Sequence, residues 1–183
     1  ALNPATPLAG AMHLPQDEVG NCRHFAVILR DAAETLGARF CFGAAVLPLD
    51  AAAPSTLRAT GASQAERFDA VVVCAGVQSP ALLAPLGIRL PLRAVYGYSV
   101  SAPMPDGGLG PRSGVMDERF KVAISRLGQR VRVAGSAEIG GLPDAINHRA
   151  VQTLYKVLDD WYPGAARLSG GVQVWKGARP MLP

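Results

Sequence analysis

Apolar residues recur at helical spacing at Cys22, Phe25, Leu29, Ala32 and Leu36, with Arg23, Arg30 and Glu34 on other faces. Asn21 stands where a helix cap accepts orphan amide protons, and Gly37 where a helix ends, so the pattern predicts one helix between them. Residues 39–42 read as a short strand, followed after Gly43 by a second extended run over 44–49. The stretch 50–64 holds Ala, Ser, Thr and Pro with few large side chains, and reads as a hairpin around a weak strand at 56–60. Residues 68–74 form an unbroken run rich in valine, the pattern of a strand buried on both faces. Ser79-Pro80 then opens a short helix over 81–86 that Gly87 closes. Helix, strand, hairpin, buried strand and helix in that order make an α/β layer.

Beyond Pro91 the pattern changes to alternation. Residues 93–102 read as a strand carrying Tyr96 and Tyr98, and a Gly/Pro loop follows over 103–112. Three further strands are predicted at 114–117, 120–126 and 130–137, with Gly128-Gln129 as a hairpin turn between the last two. Val131 and Val133 alternate with Arg130 and Arg132, so one face of that strand is wet. Asn147 caps a second amphipathic helix through Val151, Leu154, Leu158 and Trp161, which Pro163-Gly164 stops. A last strand is predicted at 171–175. This half reads as a mostly antiparallel sheet backed by a helix, and the boundary between the halves falls near Leu90.

Composition changes this picture little. Of 183 residues, 49% are apolar and 17% charged, which is globular rather than disordered. A mean hydropathy of +0.19 points to surface that meets further sequence. The net charge of +4 comes from Arg far more than Lys, spread along the chain, so no basic patch speaks for a nucleic-acid partner. Cys22, Cys41 and Cys74 are far apart and form no zinc or redox pair, which suits a reducing compartment. The first residues carry neither starting Met nor signal-like segment, as in an internal segment of a longer chain. His13, His24 and His148 suggest neither a metal nor a nucleophile's base. No HExxH, GxSxG or P-loop occurs, and no Gly-x-Gly-x-x-Gly; Gly107-Gly108-Leu109-Gly110 reads as loop.

Several stretches carry a resemblance. The run from His13 to Cys22 resembles the segment before the second helix in D-amino-acid dehydrogenases. Leu86-Gly87-Ile88-Arg89-Leu90-Pro91, followed by Val95-Tyr96-Gly97-Tyr98-Ser99, is similar to their crossing from flavin domain to substrate domain. The runs 121–128 and 132–138 are similar to their substrate-domain strands, and Gly177-Ala178-Arg179-Pro180-Met181 resembles their Gly-x-Arg-Pro segment. The resemblance covers nearly the whole chain. It is to the FAD-dependent D-amino-acid, glycine and sarcosine oxidoreductases, and leans to the D-amino-acid dehydrogenases. It implies an internal segment: a partial FAD-binding α/β lobe (1–90), a substrate lobe (91–175) and a return toward the flavin (176–183).

The resemblance implies a parent that oxidatively deaminates D-amino acids to 2-oxo acids and ammonia by hydride transfer to FAD. The alternatives are a sarcosine- or glycine-oxidase-like parent, and an inert α/β segment with only a binding or structural role. The Gly-rich turn that holds the FAD pyrophosphate is missing, so the segment alone is expected to lack the cofactor and activity. Arg179 matches the family's position near the flavin and would anchor the substrate carboxylate through its two-pronged fork; without the resemblance it would read as a surface arginine. Tyr96 and Tyr98 share a strand face and would line the substrate pocket, or serve as ordinary amphipathic sheet residues. Cys74, Ala75 and Gly76 match the strand end beside the dinucleotide, though Gly76 also suits an ordinary turn. Val46 matches the adenine contact, or packs in the core. Gly177 and Pro180 belong to the returning segment beside the flavin. The partner is then a small-molecule substrate, an amino acid whose side chain is left open, with oxygen, a quinone or another electron-transfer acceptor left open too. A cytoplasmic site, peripheral on the inner membrane in the parent, follows by the same resemblance, and open sheet edges would invite self-association.

Overall fold

A computed structural model describes residues 2–105 and 109–183; Gly107 and Gly108, read above as loop, lie outside the described residues. The chain divides into two compact units, Ala1–Val27 with Tyr96–Ala178, and Ile28–Val95 with Arg179–Pro183. The divisions fall inside α1 (Cys22–Thr35), β3 (Arg93–Pro103) and β7 (Gln173–Met181).

The first unit is built on a five-stranded antiparallel sheet in the order β4-β5-β6-β3-β7. Between β3 and β7 in the chain come β4 (Val115–Asp117), β5 (Val122–Leu127), β6 (Arg130–Ile139) and helix α3 (His148–Trp161). The β5–β6 hairpin turns at Gly128 with Leu127 opposite Arg130, as the alternating pattern predicts. Ile124 stands opposite Val133 and Arg126 opposite Val131, so the valines share one face with Val122 and Ile124. All four of these apolar residues are buried, as are Val151, Leu154, Val157 and Leu158 on one stripe of α3. The helix lies against β5 and β6, and this face is the core.

Both ends of α3 are tied. At the start, Asn147 Oδ1 accepts from the Ala150 amide at 3.2 Å, the cap the sequence predicts. At the end, the Asn3 amide donates to Trp161 O at 2.9 Å, and the Asn3 and Thr6 side chains donate to Asp160 O. These bonds satisfy carbonyls that a helix C-terminus leaves open. Trp161 also donates its indole N–H to Asp117 Oδ2 at 2.7 Å, and Asp117 Oδ1 accepts the Phe120 amide at 3.0 Å.

Burial pushes the Asp117 carboxyl up, but the bonds from Trp161, Phe120 and Arg119 outweigh it and hold the group below its usual 3.8. Its ionised form therefore stabilises the fold fully above that usual value, and the contribution is lost as pH falls through the lower folded value. Asp117→Ala leaves the half-buried indole N–H without this acceptor. The expected cost is about 1–3 kcal/mol at neutral pH. Denaturant titrations at pH 7 and pH 3 should show the difference between variant and wild type shrinking at the lower pH. An equal gap at both would remove Asp117 from the acid response.

The second unit departs from expectation. Residues 39–42 are not a strand; Phe40 and Phe42 stack with centroids 5.8 Å apart before a turn at Phe42-Gly43. The weak strand at 56–60 shrinks to β1 (Thr56–Leu57), paired antiparallel with β2 (Glu66–Arg67), while Val46 bridges Ala59. The valine-rich run 68–74 is not a buried strand: no residue of it has strand geometry, and Val72 is 84% exposed. A valine run suits a pleated surface, but a strand needs a neighbouring ladder; the Phe68 amide bonds Ser55 O at 2.9 Å, and no strand ladder among the described residues continues along the run. The turn at Gly76–Gln78 leads into α2 (Ser79–Leu83), with Pro80 in its first turn, and a 3₁₀ turn over Ala84–Leu86 ends at Gly87, all near the predicted positions.

Helix α1 forms where the pattern places it, and Asn21 Oδ1 accepts the His24 amide at 3.1 Å. No residue of α1 is buried, however, and Phe25, Ile28 and Leu29 on its apolar stripe are more than half exposed.

Candidate functional site

Alternation along β3 puts Tyr96 and Tyr98 on one face, and both are buried. Their surroundings are polar at one end. Tyr98 Oη donates to Glu138 Oε2 near the end of β6 and accepts the Asn147 amide at 3.2 Å. Asn147 Nδ2 donates to Glu138 Oε1 at 3.2 Å, so the helix cap also binds the carboxylate. Lys176 of β7 completes the group. Its Nζ lies 3.9 Å from Glu138 Oε2, 4.0 Å from the Tyr96 ring centroid and 5.7 Å from that of Tyr98. The same ammonium donates to the carbonyls of Leu142 and Ala145, and the Lys176 side chain is only 6% exposed. The Tyr98 hydroxyl foremost, then Asn147 and Lys176, hold the Glu138 carboxyl below its ordinary range against the pull of desolvation. Beside this cluster, Glu138, Ser136, Arg149 and Thr153 border an open groove of about 490 Å³.

The Tyr98 hydroxyl is thus engaged within the protein, and both rings face the Lys176 ammonium. Arg179 stands three residues further along β7 and is exposed. Strand alternation gives Arg179 the parity of Trp175 and Gly177, opposite to Lys176. A Cβ at Gly177 would come within 1.9 Å of the Trp175 indole, which lies over it, so a side chain there would have to displace that exposed ring. Pro180 is exposed on the same strand. Tyr96 and Tyr98 are therefore brought together, and the strand sets Arg179 on the other parity.

In the second unit, Val46, Cys74 and Ala75 do come together. With Leu49, Leu57, residues 71–73 and Leu82 they line a pocket of about 310 Å³ with an apolar wall. Gly76 follows at φ 55°, with open space where a Cβ would stand, so the backbone there can be closely approached. The lining is apolar, the chemistry that a flat ring system such as one end of FAD would require. The phosphates of such a group need amide donors at a Gly-rich helix start, and the sequence holds no Gly-x-Gly-x-x-Gly.

Glu138 and Lys176 were not legible as a site in the sequence. The one signal was a lysine, in a chain that has only three, directly between Trp175 and the Gly-x-Arg-Pro segment. Among the described residues no group of His, Cys, Asp and Glu could hold a metal ion, and no helix is long and apolar enough to cross a membrane.

Among the known proteins similar in sequence are three D-amino acid dehydrogenases. A D-amino acid dehydrogenase of Xylella fastidiosa (strain M12) is 43% identical over 178 residues, 96% of this chain and 40% of that protein. One of Bradyrhizobium diazoefficiens is 43% identical over 178 residues, covering 96% and 41%. One of Rhizobium johnstonii is 40% identical over 176 residues, covering 96% and 42%. The chain thus spans about 40% of the length of these relatives. Two solved structures share the fold with a TM-score of 0.69. Glycine oxidase from Geobacillus kaustophilus, 22% identical, is matched over 85% of this chain and 41% of that one. Iminodiacetate oxidase from Chelativorans sp. BNC1, 20% identical, is matched over 86% and 42%. The family model described as FAD dependent oxidoreductase matches residues 1–183, and the chain belongs to that family.

Proposed function

We propose that this chain is part of an enzyme that oxidises D-amino acids, with residues 1–90 in its flavin lobe, 91–175 in its substrate lobe and 176–183 leading back to the flavin. The observation that carries this reading is the 43% identity with a D-amino acid dehydrogenase over 96% of the chain. FAD, when bound, accepts the hydride from the amino acid's α-carbon, and the imine left behind hydrolyses to a 2-oxo acid and ammonia. Arg179 holds the substrate carboxylate, and Tyr96 and Tyr98 stiffen the wall of the substrate lobe. Val46, Cys74, Ala75 and Gly76 lie along the cofactor, with Gly177 and Pro180 on the strand that returns to it. The apolar pocket that gathers Val46, Cys74 and Ala75 supports the cofactor assignment.

The test is anaerobic titration of the FAD-loaded enzyme. Its flavin absorbance should bleach with D-amino acids and stay unchanged with their L-enantiomers. Bleaching by glycine or sarcosine alone would replace this reading with the amine-oxidase one. The 183-residue chain purified by itself is expected to bind FAD weakly or not at all, because it has no Gly-rich pyrophosphate turn. Equilibrium dialysis checks this, and flavin in stoichiometric amount would sink it.

A further inference from the structure

We propose that Lys176 is a positioning residue that fixes the register of β7 and thereby the face on which Arg179 stands; this rests on the reading of Arg179 as the carboxylate anchor. Among the described residues β7 is an edge strand with β3 as its one neighbour in the sheet. Of its nine residues only Lys176 and Gly177 are withdrawn from solvent, and Gly177 has no side chain. Lys176 is therefore the side chain by which β7 is held to the interior.

The hold is specific. The Lys176 ammonium bonds the carbonyls of Leu142 and Ala145, lies over the Tyr96 ring and faces Glu138. On the opposite parity the Trp175 indole lies across Gly177. A backbone ladder alone does not distinguish neighbouring registers, and a slip of one residue exchanges the two faces of a strand. Here such a slip would expel a cation from its carbonyls and drive an indole inward, and it would turn Arg179 to the wrong side. The charge in the interior thus specifies a register, a use for which buried polar groups are well attested.

The experiment compares Lys176→Met, which keeps an unbranched stem without the charge, and Lys176→Arg, which keeps the charge. Both are made in the FAD-loaded enzyme. Hydrogen exchange is followed across residues 173–181 and across the β5–β6 hairpin, with KM and kcat for a D-amino acid. In Lys176→Met, β7 amides should exchange about tenfold faster while the hairpin is unchanged, as expected when one charge-assisted bond network is lost. KM should rise about tenfold with kcat within about a factor of two, the mark of lost substrate binding rather than lost chemistry. Lys176→Arg should restore part of both.

Unchanged exchange in Lys176→Met overturns the proposal, and so does faster exchange with an unchanged KM. If Lys176→Met does not fold, Glu138→Gln removes the facing charge while keeping an acceptor for Tyr98, and should move both readouts the same way to a smaller extent; no movement overturns the proposal. If Arg179→Lys leaves KM unchanged, the reading of Arg179 as anchor falls instead, and the exchange data alone decide whether Lys176 sets the register.

Discussion

Arg179→Lys is expected to raise KM for the amino-acid substrate by two to three orders of magnitude in the FAD-loaded enzyme. A guanidinium presents two parallel donors to a carboxylate, and an ammonium cannot reproduce that fork. Breaking a pair closed off from water costs on the order of 3–5 kcal/mol, and each 1.4 kcal/mol is about tenfold. On an open strand the same pair would contribute only about 0–1 kcal/mol. Arg179 is exposed on β7, so the size of the effect reports whether substrate and cofactor enclose it. Steady-state kinetics of the Lys variant measure it, and unchanged constants would remove Arg179 from the site.

Leu154→Ala is expected to destabilise the sheet-and-helix unit by about 2–5 kcal/mol, the range for emptying a well-packed leucine site. Leu154 is fully buried on α3, the helix that lies against β5 and β6, where Ile124 and Val133 are also fully buried. The helix is fixed at both ends by Asn147 and by the Asn3 and Thr6 bonds, so it cannot readily move to fill the space. Urea titration followed by circular dichroism checks the loss. A change below about 1 kcal/mol would mean that the site collapses or that the packing around α3 is loose.

The antiparallel half was legible in the sequence because its signals are local. Alternating Val131 and Val133, the turn at Gly128 and the cap at Asn147 each act within a few residues, and β5, β6 and α3 formed close to the predicted bounds. β7 departed most, running over Gln173–Met181 where 171–175 was predicted. The other half depends on distant partners. A run such as Val71-Val72-Val73 gives a strand only beside a neighbour, and α1 has an amphipathic stripe but no buried residue. A chain spanning about 40% of its relatives can carry a pattern whose complement lies in the remainder. At the candidate site, Val46, Cys74 and Ala75 were each singled out by the resemblance, and the structure sets them around one pocket. The Lys176–Glu138 contact was not singled out, because it joins residues 38 positions apart and neither has a local signature.

The bonds from Asn3 and Thr6 to the last turn of α3 join residues more than 150 positions apart. They join the two ends of a segment that contains all of Ile28–Val95, the larger part of the second unit. During synthesis Asn3 and Thr6 therefore wait for their partners until Trp161 has left the ribosome, which at about 5–20 residues per second is a delay of roughly 8–30 s. Closing so long a loop costs only slightly more than closing a short one, so the delay is set by translation rather than by search. Asn3 and Thr6 then cannot be tied down before the final turn of α3 exists, and a nascent chain stalled before Trp161 should show the segment around residues 3–6 open to a protease.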